Sequence, residues 1–233
     1  MKVKTGTLAG FLKKFSMEGS QQINEGVLRF EDEGLKISAN SVSKQVRVMS
    51  WLKKGVFTEY EAIGNVGVND IPTVIRVLER FGENISLTKE GNLLTVKGES
   101  KKVEIELVAE SFLDTDTGEP TLEFIDTFTI PSAQMKNIYK DVKMNKDATL
   151  TIETADKSVA FKNTGKYKFL NTIAALTCKG GAKSTFGEPL IDATNNLDGE
   201  LEISLGENYP MKVMEKTETS VVTIIVAPRV AEE

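Results

Sequence analysis

One helix pattern written four times, with short strand-like segments between the copies, constrains this 233-residue chain more than any other feature. A repeated amphipathic unit cannot bury its apolar stripe alone, so the repeats must share sheets or each other. Over Thr7–Met17, the residues Leu8, Phe11, Leu12 and Phe15 fall at i, i+3, i+4 and i+7, one stripe along a helix. Asn69–Gly82 repeats the spacing with Ile71, Val74, Ile75 and Leu78. There Asn69 reads as the N-cap, Pro72 sits in the first turn and Gly82 ends the helix. Pro131–Met144 carries it again with Met135, Ile138, Tyr139 and Val142. A weaker fourth copy runs from Phe186 through Leu190 and Ala193 to Leu197, broken early by Pro189.

Between these helices the chain reads as short strands punctuated by turn residues. Val27–Glu31 and Leu35–Ala39, joined through Asp32-Glu33-Gly34, form a hairpin pattern. Further strands are expected at Gln45–Leu52, Thr58–Val66, Asn84–Thr88, Leu93–Lys97 and Lys102–Ala109. A second series covers Ala148–Thr154, Ser158–Asn163, Tyr167–Thr172, Ile173–Cys178, Glu200–Leu205, Met211–Glu215 and Ser220–Val226. The closing segments correspond: Gly82–Leu87, Leu94–Lys97 and Val103–Ala109 are matched by Gly199–Leu205, Met211–Met214 and Val221–Ala227. The chain therefore reads as an α+β protein of two similar domains, residues 1–110 and 128–233. A linker spans 111–127, where Asp114-Thr-Asp-Thr-Gly-Glu-Pro has linker composition.

Composition narrows the chemistry. Hydrophobic residues are 40% and charged residues 27%, a soluble globular balance, and no apolar run approaches the roughly 20 residues of a membrane-spanning helix. The N-terminus lacks the apolar core of a secretory signal, so a cytosolic protein is expected. A single cysteine excludes an internal disulfide and a Cys-rich zinc site, and the absence of histidine removes the commonest general base and metal ligand. No catalytic residue, cofactor or metal site is expected. Asp114–Gly118 begins like a calcium loop, but Gly118 and Ile125 stand where an acid and a bidentate Glu are needed, so it reads as an acidic turn. Gly180–Ser184 fails the phosphate-loop pattern at Thr177 and Ala182. Cys178 reads as a buried small hydrophobe, and Trp51 admits several readings.

The net charge of −5 argues against nucleic acid as a sum, but the location of the cations matters more. Opposite the apolar stripes, the first helix carries Gly10, Lys13, Lys14 and Met17 and the second Thr73, Arg76 and Arg80. The third places Lys136, Lys140 and Lys143 along one flank; the fourth has Glu188, Asp192 and Asn195 and no cation. Each face alone is an ordinary solvated surface. A duplicated architecture would set the three side by side, giving sequence-independent attraction for phosphate backbones.

Three segments carry a resemblance to sliding clamps of the proliferating-cell-nuclear-antigen type, found in archaea, eukaryotes and some viruses. The C-terminal stretch is the most specific: Tyr209-Pro-Met-Lys-Val-Met-Glu, then Ile225-Val-Ala-Pro-Arg-Val-Ala-Glu-Glu233. Ile130-Pro-Ser-Ala-Gln-Met-Lys-Asn-Ile-Tyr-Lys-Asp-Val142 is similar to the opening helix of the family's second domain, and Glu31–Ala39 to its first-domain hairpin. The resemblance implies a clamp fold in which three subunits close head to tail into a ring with helices lining the hole. It implies that Lys13, Lys14, Arg76, Arg80, Lys136, Lys140 and Lys143 face double-stranded DNA. A subunit interface is implied between Lys102–Ala109 and the neighbour's Tyr167–Thr172, involving Val103, Ile105, Leu107, Tyr167 and Phe169. A pocket for client peptides is implied at Val46, Val48, Leu122, Phe124, Pro210, Ala227 and Pro228, although Val46, Val48 and Phe124 equally suit plain core packing.

The function implied is a non-catalytic polymerase processivity factor. It would encircle DNA, dock replication and repair enzymes and be loaded by a separate ATPase. Its place would be the nucleoid of a prokaryote, a virus-infected cell or a eukaryotic nucleus. The alternatives are a clamp-like factor working as a monomer or in a heterotrimer, and a β-rich interaction or virion protein that never touches DNA.

Overall fold

A computed structural model describes residues 1–17, 19–113, 118, 120–146, 149–163 and 165–229. Its first half runs β1 (Lys2–Lys4), α1 (Thr5–Ser16), β2 (Gly26–Glu31), β3 (Gly34–Asn40), β4 (Val46–Lys53), β5 (Gly64–Val68), α2 (Ile71–Leu78), β6 (Asn84–Glu90), β7 (Leu93–Lys97) and β8 (Lys102–Glu106). The second runs β9 (Asp126–Pro131), α3 (Ser132–Val142), β10 (Leu150–Ala155), β11 (Ser158–Asn163), β12 (Phe169–Ala174), β13 (Lys183–Phe186), α4 (Glu188–Thr194), β14 (Glu200–Leu205), β15 (Met211–Lys216) and β16 (Ser220–Val226). Both halves read strand, helix, four strands, helix, three strands.

The topology uses this duplication in a specific way. One sheet has eight strands in the order β5-β2-β3-β4-β16-β15-β14-β9, and two have four, β1-β6-β7-β8 and β12-β11-β10-β13. The central sheet is one four-strand set from each half, joined where β4 meets β16 antiparallel from Val46↔Val226 to Leu52↔Ser220. The counterparts of these joining strands are β12 and β8, and each is left at the free edge of its own small sheet.

Helices α1 and α4 pack on β4 and β16, and α2 packs against α1. The stripes read from the sequence are the buried ones: Leu8, Phe11, Leu12 and Phe15 on α1, Met135, Ile138, Tyr139 and Val142 on α3. Five phenylalanines, Phe15, Phe30, Phe128, Phe161 and Phe186, are among the largest fully buried side chains. Each removes enough apolar area to contribute about 2–3 kcal/mol.

Several boundaries differ from the sequence reading. The cap of α2 is Asp70 rather than Asn69: its carboxylate accepts the Thr73 N–H at 2.9 Å. Met17 is 2% exposed, not part of the solvent face of α1, because the helix ends there with a left-handed residue that folds the side chain inward. Thr58–Val66 yields a strand only at Gly64–Val68, since Phe57 and Tyr60 pack edge to face in a loop. Ile173–Cys178 is not a separate strand; Ile173 and Ala174 finish β12 and the next strand is β13. Phe186 closes β13 rather than opening the fourth helix, which spans only Glu188–Thr194. The acidic turn expected at Asp114–Gly118 lies outside the described residues except for Gly118.

Candidate functional site

The cationic helix surface is built from residues of α1, α2 and α3. Lys13 is exposed, with its Nζ 2.5 Å from Glu79 across the α1–α2 groove. Lys14 is only 21% exposed: its Nζ lies 2.6 Å from Glu215, itself 2% exposed, and 3.5 Å from Asp198. Lys136 on α3 reaches the same Asp198 at 3.4 Å. Because lysines of α1 and α3 meet one carboxylate in the α4–β14 turn, the helix faces of both halves open on a common surface.

The remaining cations are less neutralised. Arg76 donates to Thr73 Oγ1 at 2.7 Å and Lys140 to Asn137 Oδ1 at 3.4 Å. Among the described residues Arg76, Arg80, Lys140 and Lys143 have no carboxylate within salt-bridge distance. These four are therefore the strongest attractors for a polyanion, and Lys14 and Lys136 are partly spent on Asp198 and Glu215. The anionic face of α4 has its own structural use, since Asp192 accepts the Ser20 hydroxyl at 2.9 Å and its N–H at 3.2 Å.

The opposite face of the central sheet carries a groove of about 490 Å³ lined by Arg29, Glu31, Lys36, Ser38, Met49, Trp51, Val221 and Thr223 among others. The alternation of β4 decides which side chains reach it. Val46 and Val48 are fully buried on the helix side, so their assignment to a peptide pocket is corrected: they are core residues. The outward residues of β4 are Arg47, Met49 and Trp51, half-buried. The described residues flanking the segment between the halves touch the central sheet at β5 and beside β15. Val108 N–H bonds the Gly67 carbonyl at 3.0 Å, and a Cβ on Gly67 would lie 2.1 Å from the Val108 oxygen, so only glycine fits. At the far end Phe124 meets Tyr209 edge to face at 6.1 Å, and the Lys212 ammonium sits 5.5 Å from its ring centroid. Leu122, Phe124, Pro210 and Pro228 are half-buried and Ala227 is exposed. The tail is held by Ala227 N–H to Gln45 and Arg229 N–H to Thr185.

The free edges form a third feature. At the paired β4–β16 joint, Val46, Val48, Val222 and Ile224 are all inaccessible to solvent. On the unpaired edges the corresponding inward residues, Val103 and Ile105 on β8 and Phe169 and Ile173 on β12, are half-exposed. Leu107 lies one residue past β8, and Tyr167, 53% exposed, precedes β12. Glu104 and Glu106 flank one edge; Lys166 and Lys168 stand beside the other.

Among the described residues no group of His, Cys, Asp or Glu could hold a metal, and no helix is long and apolar enough to cross a membrane. Cys178 is buried, and burial followed by the nearby Asp126 charge pushes its thiol up to about 11, where it stays protonated.

No family model matches the chain. Two curated proteins named DNA polymerase sliding clamp, from Methanococcus maripaludis strains C7 and C5, are 26% and 25% identical, each alignment covering 94% of this chain and 95% of the relative. A solved structure described as the C-terminal region of FEN-1 bound to A. fulgidus PCNA superposes with a TM-score of 0.88 at 18% identity, over 100% of this chain and 98% of that one. The proliferating cellular nuclear antigen of Entamoeba histolytica gives 0.80 at 18% identity, covering 98% of both chains.

Proposed function

We propose that this chain is a sliding clamp of the proliferating-cell-nuclear-antigen type, a DNA polymerase processivity factor that closes around duplex DNA without reading its sequence. It docks client enzymes by short peptides on its outer face. The observation that carries this reading is the pattern of joints. Within the chain, β4 pairs with β16. Their counterparts β12 and β8 remain open, each at the edge of its own small sheet, with half-exposed apolar rows on one side and opposite charges beside them. Repeating the internal joint between subunits is a head-to-tail contact, which closes into a ring when the rotation permits and removes both open edges. The reading takes three subunits per ring and two clamp domains per subunit, residues 1–110 and 128–233 with the linker 111–127 between them, and the two alike halves of the chain support the second.

In such a ring the helices face the hole, and Arg76, Arg80, Lys140 and Lys143, with Lys13, Lys14 and Lys136, border the DNA. Contacts to phosphate alone give salt-dependent, sequence-tolerant attraction that permits sliding. Val103, Ile105, Leu107, Tyr167 and Phe169 would then be covered by the neighbour. The chain carries no nucleotide-binding motif, so opening the ring falls to a separate loader ATPase, and the clamp itself performs no catalysis. Its place of work follows its DNA, in the nucleoid or the nucleus. The structure of A. fulgidus PCNA with the C-terminal region of FEN-1 bound supports client docking as such, and this reading assigns the docking place to Leu122, Phe124, Pro210, Ala227 and Pro228.

Replacing Arg76, Arg80, Lys140 and Lys143 with Glu tests the DNA assignment. Polymerase processivity on primed template should lose its stimulation while melting temperature and solution mass stay unchanged. Full stimulation by a folded quadruple variant would remove the helix surface from the DNA path.

A further inference from the structure

Client docking on the outer face, proposed above, leaves open what the peptide must carry besides apolar anchors. The groove on strands β2, β3, β4 and β16 supplies an answer through its charges. Met49, Trp51 and Val221 give it an apolar wall, and Arg29 and Lys36 stand beside them. The two cations are not equivalent. Lys36 is held by Glu31 at 2.9 Å and Glu33 at 3.4 Å, and the hydrogen bond it donates to Glu31 keeps its ammonium pKa above the ordinary value. Arg29 is half-buried on β2, paired across the ladder with Lys36, and among the described residues its guanidinium has no hydrogen-bond or ion-pair partner. A half-buried guanidinium with its forked donors unused, next to an aromatic ring and a methionine, is complementary to a carboxylate following an apolar side chain.

We propose that this groove is a specificity subsite for the acidic flank of docked client peptides, with Arg29 receiving a carboxylate while an adjacent apolar side chain packs on Met49 and Trp51. This rests on the docking reading, and it assigns the groove one occupant by charge: a peptide whose anchors are followed by Asp or Glu. Lys36 is already satisfied within the chain, so discrimination between acidic and basic flanks falls on Arg29.

Trp51 is the only tryptophan in the chain and lies in the groove, so its emission reports occupancy directly. The probes are two synthetic peptides sharing one Leu and two Phe anchors at helical spacing, one followed by Glu-Glu and the other by Lys-Lys. Both are titrated against the full chain at low salt, with affinity also measured by calorimetry. The acidic peptide should bind about five- to tenfold tighter, the size of a partly exposed charge-assisted hydrogen bond. Arg29→Gln should erase the preference and Arg29→Glu should invert it, each variant keeping the wild-type melting temperature. Equal affinity for both peptides, or a preference that survives in Arg29→Glu, overturns the assignment and leaves client docking intact. Failure of both peptides to bind by calorimetry overturns the docking reading as well.

Discussion

Replacing Lys14 with Met should destabilise the fold far more than its place on a cationic surface suggests. The Lys14 ammonium is 2.6 Å from Glu215, a carboxylate that is 2% exposed, and the other Glu215 oxygen accepts the Asp198 N–H at 2.7 Å. Removing one partner of a buried pair costs about 3–5 kcal/mol, because the remaining charge is left in a poor solvent. Here Lys14 is one-fifth exposed and Glu215 keeps one hydrogen bond, which places the loss at about 2–3 kcal/mol. For a domain of this size that is a fall of about 5–10 °C in melting temperature. Lys13→Met is the control, since its partner Glu79 is open to water and such pairs contribute about 0–1 kcal/mol. Urea denaturation of Lys14→Met, Glu215→Gln and the double variant gives the coupling directly, with an expected value of about 2 kcal/mol. A loss below about 0.5 kcal/mol in Lys14→Met would show that the contact between α1 and β15 does not hold the two halves as reasoned.

Two further outcomes follow from local geometry. Asp126 is buried at the start of β9; burial raises its carboxyl pKa, but hydrogen bonds from Lys179, Thr154 and Gly180 and the Lys179 charge outweigh this and hold it below the ordinary 3.8. A depressed value means its stabilisation is complete above the ordinary pKa and is lost as pH falls through the folded one. Asp126→Asn should therefore cost about 1–3 kcal/mol at neutral pH, and denaturation at acid pH should show that gap narrowing below about pH 4; a constant gap contradicts the assignment. At the open edge, Ile105→Asp should leave the monomer folded, as judged by circular dichroism, while shifting assembly to at least tenfold higher concentration in dilution experiments.

Much of this fold was legible because amphipathic periodicity is local. The stripes of α1 and α3 and the hairpins around Asp32–Gly34 and Gly91–Asn92 are written within a few residues of themselves. Strands β1 and β13, of three and four residues, are too short to alternate visibly. Strand β9 does alternate, with Phe128 and Ile130 inward, but follows directly on linker composition. The site was legible only in part. Cations on helix faces could be counted, yet Lys14 meets Glu215 across 201 residues of sequence, and nothing local announces that pairing. The inward direction of Val46 and Val48 is fixed by the register of β4 on β16, which is again a long-range fact. Asp70 displaced Asn69 as cap because the helix begins at Ile71, one residue later than a cap at Asn69 implies.

In the ring proposed, the open edges of β8 and β12 find each other in a second and third copy. Light scattering coupled to size exclusion, run over a dilution series, measures this directly. A species near 77 kDa, three times the 25.6 kDa chain, is the expected result and would persist to micromolar dilution. A stable 25.6 kDa species at every concentration would contradict the ring and leave both edges without a partner strand.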